Sequence, residues 1–264
     1  MDEQEIYQQL ESLKQELANS AVDEGAREKM LGLIDRIETH LAAEYPDALA
    51  YGAKFQLGPG GTGKIQARFV GPDPALRPGE AFDYNSSNAD VLGWLIARIS
   101  GENLADFIQR NIWAKLGAEH DAFIIVDRAY MPVATGGMNS TLRDAAKFGM
   151  MIRDRGSFAG EQVIPSGWVD ATLDVSPRLL ANMKKNPKYG SDPWAAYHNM
   201  WWILDQTAGE YCAVGVYGQV IYINRSTDTV MSWFSSQEAA SAAGNPVFHS
   251  KLRAARELAK QLAE

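Results

Sequence analysis

Two runs, Cys212-Ala-Val-Gly-Val-Tyr-Gly-Gln-Val-Ile-Tyr-Ile223 and Thr229-Val-Met-Ser-Trp-Phe234, constrain the fold more than any other feature of the chain. Both are rich in β-branched and aromatic residues, which pack well on a pleated surface. The stretch Asn224-Arg225-Ser226-Thr227-Asp228 between them has the composition of a hairpin turn, so the runs predict antiparallel strands. A helix from Pro246 to Leu262 follows and is expected to cover the sheet. Upstream, Val91, Leu92, Leu95 and Ile99 predict a helix capped by Asn88 or Asp90 and ended by Gly101. Leu104, Phe107, Ile108, Ile112 and Leu116 predict a second helix. Thr141 to Asp154 predicts a third, with Leu142, Ala145, Phe148, Met151 and Ile152 turned inward. Helices gathered against an antiparallel sheet give an α+β domain.

The chain changes character near residue 48. Before it, Ile6, Leu10, Leu13 and Leu17 form one apolar stripe and Met30, Leu31, Ile34, Ile37 and Leu41 another, which predicts a helical hairpin over 1–48. Such a pair cannot bury both stripes by itself, so it is expected to pack on the rest of the chain or to join two copies as a homo-oligomer. Residues 49–77 read as a Gly/Pro-rich connector and 78–264 as the main domain. A net charge of −8 repels phosphate backbones, so nucleic acid is not an expected partner. The acidic start, Met1-Asp2-Glu3-Gln4-Glu5, is unlike a secretory leader, and no apolar run reaches spanning length. A cytoplasmic location and no membrane partner are therefore expected.

Gly58-Pro-Gly-Gly-Thr-Gly63-Lys64 matches the first seven positions of a phosphate-binding loop. Ile65 then stands where a magnesium-ligating hydroxyl is needed, and the flanking strand and helix are poorly marked. Phe123-Ile124-Ile125-Val126-Asp127 imitates the apolar strand ending in a metal-binding Asp. Nucleotide binding through Gly58 to Lys64 thus stands as a remote alternative to a plain connector. His40, His120, His198 and His249 lack ligand spacing, so neither a metal nor another cofactor is expected. No serine lies in a G-x-S-x-G elbow. Trp194, Tyr197, Trp201, Trp202 and Trp233 read as core, with the wall of a substrate cleft as the alternative.

A further set of blocks is informative through its order and spacing. Phe82-Asp83-Tyr84-Asn85-Ser86-Ser87-Asn88 is followed by Leu92-Gly93-Trp94, Ile112-Trp113-Ala-Lys-Leu-Gly117, Gly136-Gly137-Met138-Asn139-Ser140-Thr141-Leu142-Arg143, Val163-Ile164-Pro165-Ser166-Gly167-Trp168 and Gly215-Val216-Tyr217-Gly218-Gln219. From about Pro74 onward the chain resembles the serine β-lactamase-like hydrolases, and within them the 6-aminohexanoate-dimer hydrolase and carboxylesterase branch. The hairpin faintly resembles a small helical family of unknown function.

The resemblance implies a partial β-lactamase-like fold and acyl transfer on a small amide or ester substrate. Tyr84 corresponds to the catalytic tyrosine that relays a proton. Asn85, Ser86 and Ser87 correspond to polar substrate-binding positions, with a turn and helix-cap cluster as the plainer reading. Val216-Tyr217-Gly218 corresponds to the strand that contributes an oxyanion-hole amide, and Gln219 to a wall residue or a plain strand residue. A phenol titrates near pH ~10 and needs a neighbouring cation for this work. The family draws that cation and its nucleophile from Ser-x-x-Lys, and no serine here is followed by Lys three residues on. Ser140 and Ser250 are followed by Arg, which cannot take up a proton. The chain is therefore expected to be a hydrolase homologue impaired on its own, with a non-catalytic binding or assembly module as the alternative.

Overall fold

The computed structural model describes residues 53–55, 67–69, 81–127 and 131–263. The predicted hairpin over 1–48, most of the 49–77 connector and the Gly58–Lys64 loop lie outside the described residues. The chain divides into two compact units, one containing 83–107 and 125–135 and the other 79–82, 108–124 and 136–264, so the region 78–264 contributes to both.

The first unit holds an antiparallel pair, β1 (Ala53–Phe55) and β2 (Ala67–Phe69), and the helix α1 (Ser87–Ser100). Gly101 ends α1 at φ 72°, a left-handed conformation that glycine adopts without steric cost, as its position predicts. The start of α1 differs from expectation. Ser86, not Asn88 or Asp90, occupies the N-cap position, and Asp90 is engaged by Thr135. Helix α2 (Leu104–Asn111) follows and is shorter than predicted; Trp113–Lys115 continues as a 3₁₀ turn.

The second unit is built on a five-stranded antiparallel sheet. Strands β7 (Ala196–His198), β8 (Trp201–Asp205), β9 (Glu210–Gly215), β10 (Gln219–Asn224) and β11 (Thr229–Trp233) follow one another as a meander. The run Cys212–Ile223 is therefore two strands folded back on each other across Val216–Gly218. Two-stranded pairs flank the sheet in sequence: β3 (Phe123–Ile124) with β4 (Met138–Asn139), and β5 (Ser157–Phe158) with β6 (Glu161–Gln162).

Both faces of the sheet are buried, which explains why these strands read as continuous apolar runs. Trp201, Ile203, Tyr211 and Ile223 enter one core with Met151 and Ile152 of helix α3 (Leu142–Arg153) and with Val169 and Leu173 of α4 (Ser166–Leu173). Their neighbours Trp202, Leu204, Cys212, Val220 and Tyr222 point the other way. They meet Met183 of α5 (Pro177–Lys185) and Phe248 and Leu252 of α6 (Pro246–Gln261). Asn245 caps α6 by accepting from the Val247 and Phe248 amides at 3.1 and 3.2 Å. Gly149 lets α3 approach the sheet closely, since a Cβ there would stand 2.7 Å from Ile221 and 2.8 Å from Val230. This is the α+β arrangement expected from the sequence. Leu142, predicted to face inward, is 45% exposed, while Asp144 and Ala145 of the same first turn are buried.

Thr141 caps α3 (Leu142–Arg153): its Oγ1 accepts from the Asp144 amide at 3.1 Å and donates to Asp144 Oδ2 at 2.8 Å. The fully buried Asp144 carboxylate also accepts from the amides of Glu119 at 2.8 Å and His120 at 3.2 Å. Burial alone would raise the pKa of Asp144. The Glu119 amide, the Thr141 hydroxyl, the His120 amide and Lys147 together outweigh it and hold the group below 3.8. A folded-state pKa below the unfolded value gives stability that is fully present above about pH 4 and is lost as pH falls through the folded pKa. Asp144→Ala is expected to remove about 2 kcal/mol at neutral pH by orphaning those donors. The loss should shrink in denaturant melts near pH ~3, below the ordinary aspartate value, where the unfolded chain takes up the proton and the stabilisation falls. Equal losses at both pH values would mean that the charge contributes nothing.

Candidate active site

Tyr84 lies on the turn that delivers the chain to α1 and is 38% exposed. The Asn88 amide donates to Asn85 O at 3.2 Å and the Ala89 amide to Ser86 O at 3.1 Å, so the backbone is already winding at Asn85. Ser86 has helical angles and makes no side-chain cap hydrogen bond; Ser87 is the first helical residue. This turn is held from the side. The Thr135 amide donates to Asp90 Oδ1 at 2.8 Å, and the Thr135 hydroxyl donates to Ser86 O at 3.0 Å and also reaches Asp90 Oδ2. A Cβ on Gly93 would meet Ala134 at 2.7 Å, so a glycine there permits the close approach of the segment carrying Thr135. Tyr84, Asn85, Ser86 and Ser87 thus share one braced turn. No local sequence pattern announces the brace, since Asp90 and Thr135 are 45 residues apart.

Tyr217, Gly218 and Gln219 occupy the tight connection between β9 and β10. Tyr217 has φ 60° and Gly218 has φ 88°, two consecutive left-handed residues that reverse the chain within Val216–Gly218. Tyr217 is 47% exposed, and its backbone is fastened at both polar groups. Its amide donates to Ala240 O and its carbonyl accepts from the Gln237 amide, each at 3.1 Å. Gln237 also lies over Gly218, where a Cβ would stand 2.5 Å from Gln237 Nε2. Asn245 Nδ2 donates to Gln237 Oε1 at 3.0 Å. Gln219 turns its amide to the chain beyond β11: Oε1 accepts from the Ser235 amide at 2.9 Å, and Nε2 donates to Val216 O at 3.2 Å and to Ser235 O. The side chain of Gln219 therefore ties backbone together. Gln237 was not singled out in the sequence, and only the folded strap 235–245 brings it to this turn.

The remaining candidates find structural roles. Ser140 precedes the α3 cap, and Arg143 is 82% exposed beside Glu119 at 3.5 Å. Cys212 is fully buried, and burial, with Glu210 nearby, pushes its thiol pKa far up, so it is no nucleophile. His198 Nδ1 lies 3.2 Å from Thr172 O, and among the described residues no His, Cys, Asp and Glu cluster suits a metal ion. Trp194 and Trp202 are buried in the core against which Tyr197 and Trp233 pack, and Trp201 is buried in the core on the other face of the sheet, so the aromatic group is core. Among the described residues no helix is long and apolar enough to cross a membrane.

A tyrosine turn opening one helix and a glycine turn between two strands of a helix-covered antiparallel sheet define the partial fold of the serine β-lactamase-like hydrolases. The Beta-lactamase family profile matches residues 40–254, and the chain belongs to that family. It is 34% identical over 155 residues to a 6-aminohexanoate-dimer hydrolase from Paenarthrobacter ureafaciens, covering 59% of this chain and 39% of the relative. A solved structure assigned as a 6-aminohexanoate-dimer hydrolase from Bacillus anthracis superposes with a TM-score of 0.63 at 30% identity, covering 74% of this chain and 47% of that one. The chain thus spans less than half the length of either. A mutant simvastatin synthase from Aspergillus terreus shares the fold at a TM-score of 0.52 and 17% identity, over 67% of this chain and 56% of that one.

Proposed function

We propose that the chain carries the tyrosine turn and the oxyanion-side turn of a hydrolase for amide or ester bonds, and that these residues do not turn over substrate by themselves. Tyr84 is the proton relay, Asn85, Ser86 and Ser87 are the polar positions beside it, and the Gly218 amide is the oxyanion donor of the second turn, the Tyr217 amide being given to Ala240 O. The observation that carries the reading is the pair of fastened left-handed residues Tyr217 and Gly218, in a chain whose family makes its oxyanion hole from this strand. The second half of the proposal rests on the sequence, which has no Ser-x-x-Lys to supply nucleophile and cation. In subtilisin, loss of the nucleophile alone costs about 10⁶ in turnover, so an intact remainder does not restore a useful rate.

Two measurements test the two halves separately. Incubation with a fluorophosphonate, a chromogenic cephalosporin and p-nitrophenyl esters should leave the intact mass unchanged. A stoichiometric adduct on Ser86, Ser87 or Ser140 would overturn the claim of impairment and name the nucleophile. Titration with the linear 6-aminohexanoate dimer, read by the amide signals of 84–90 and 216–219, should show saturable shifts at both turns. Binding that leaves both turns unmoved would favour a binding module that uses a different surface.

A further inference from the structure

Helix α6 presents His249, Leu252, Arg253 and Arg256 along one side of a cavity of about 260 Å³, facing Ser191, Asp192 and Pro193. Their spacing of three, four and seven residues from His249 keeps them on one helix face. Two carboxylates lie near: Asp192, part of the lining, has a side chain 2% exposed with its oxygens taken by other donors, and Glu210, 5% exposed, is outside the lining and paired with Arg256. Asp192 accepts from the Gly244 amide at 3.0 Å and from Trp194 Nε1 at 3.2 Å. Glu210 takes Nε and Nη2 of Arg256 at 2.8 and 2.7 Å, which leaves the Nη1 donors of Arg256 uncommitted. Arg253 is exposed, donates to Ser250 Oγ at 3.0 Å, and has no carboxylate within ion-pair distance among the described residues. His249 Nε2 is buried without a hydrogen bond, 3.4 Å from Asp192 Oδ1 and off hydrogen-bonding geometry. On a chain of net charge −8, the polar groups that this cavity offers a visitor are mainly donors and cations.

We propose that this cavity binds a small anion carrying a carboxylate or phosphate group. The Arg253 fork takes two oxyanion oxygens, Arg256 Nη1 adds a donor from the next turn of α6, and Leu252 gives a short apolar stem a dry contact. The volume admits a small organic acid or a phosphate monoester. The site is independent of the hydrolase reading, since none of its residues belongs to the two turns.

The test uses the whole chain at constant ionic strength set with chloride. Inorganic phosphate and, separately, hexanoate are titrated by calorimetry, with the Trp194 indole N–H followed by NMR as a local reporter. Saturable binding of at least one anion that shifts the indole signal is expected, and whichever anion binds identifies the source class. Arg253→Gln should weaken binding about tenfold or more, while Arg253→Lys, which keeps the charge and loses the fork, should fall between. Arg253 is exposed, so both variants should keep the wild-type melting temperature. No saturable binding of either anion, or binding undiminished in Arg253→Gln, would overturn the site.

Discussion

Replacing Arg256 by alanine is expected to cost about 3–5 kcal/mol, because it strips a buried carboxylate of its only cationic partner among the described residues. Glu210 stands on β9 with its side chain 5% exposed, held by the Arg256 fork from α6 and by the Tyr222 hydroxyl at 2.6 Å. Asn224 Nδ2 lies 3.4 Å from the same hydroxyl, so one network crosses from helix to sheet. Burial, then the bond to Glu210, pushes the Tyr222 phenol pKa well above its usual value, so that group stays a neutral donor. With Arg256 gone, the carboxylate keeps a single donor from a side chain and remains dehydrated. The double replacement Glu210→Gln with Arg256→Met should recover much of the loss, since an uncharged amide needs no counter-ion and methionine refills the stem. Urea melts of both variants decide the matter. A loss below about 1 kcal/mol for Arg256→Ala would mean that water reaches Glu210 once the guanidinium leaves.

Gly218→Val should destabilise the second unit by about 3 kcal/mol, combining left-handed backbone strain with overpacking. The residue has φ 88°, where a β-branched side chain is strained whatever the space around it, and the added carbons would meet Gln237 at 2.5 Å. Gln237 is poorly placed to yield, since Asn245, which also caps α6, holds its Oε1. Relief requires the strap 235–245 to lift, which breaks the paired bonds between Tyr217 and the backbone of Gln237 and Ala240. Gly215→Val offers the contrast, because Gly215 has φ −96°, an ordinary strand value. Melting both variants and recording the amide shifts of 235–245 checks this. A Gly218→Val protein as stable as the wild type, with the strap unmoved, would show that the turn tolerates a side chain and is not a rigid carbonyl cradle.

Much of the second unit was legible in the sequence because burial on both sheet faces writes itself as long apolar runs, and in the first unit the Gly101 stop of α1 was legible because a helix cap acts within a few residues. The split of Cys212–Ile223 was not. Its reversal needs two left-handed residues, and one of them is a tyrosine, which does not announce such a conformation. The helix stripe misled at Leu142, 45% exposed, since periodicity says which residues share a face and not whether anything covers it.

At the candidate site the sequence by itself determined the inventory: the tyrosine motif, the glycine strand, the family, and the lack of Ser-x-x-Lys. The tertiary structure decided how each turn is held. Asp90 is spent on Thr135 instead of on a helix cap, Gln219 ties its own strand to Ser235, and Gln237 clamps Gly218. The physical reason is range. Propensity, periodicity and capping act over a few residues, whereas these contacts join segments that only the packed core brings within hydrogen-bonding distance.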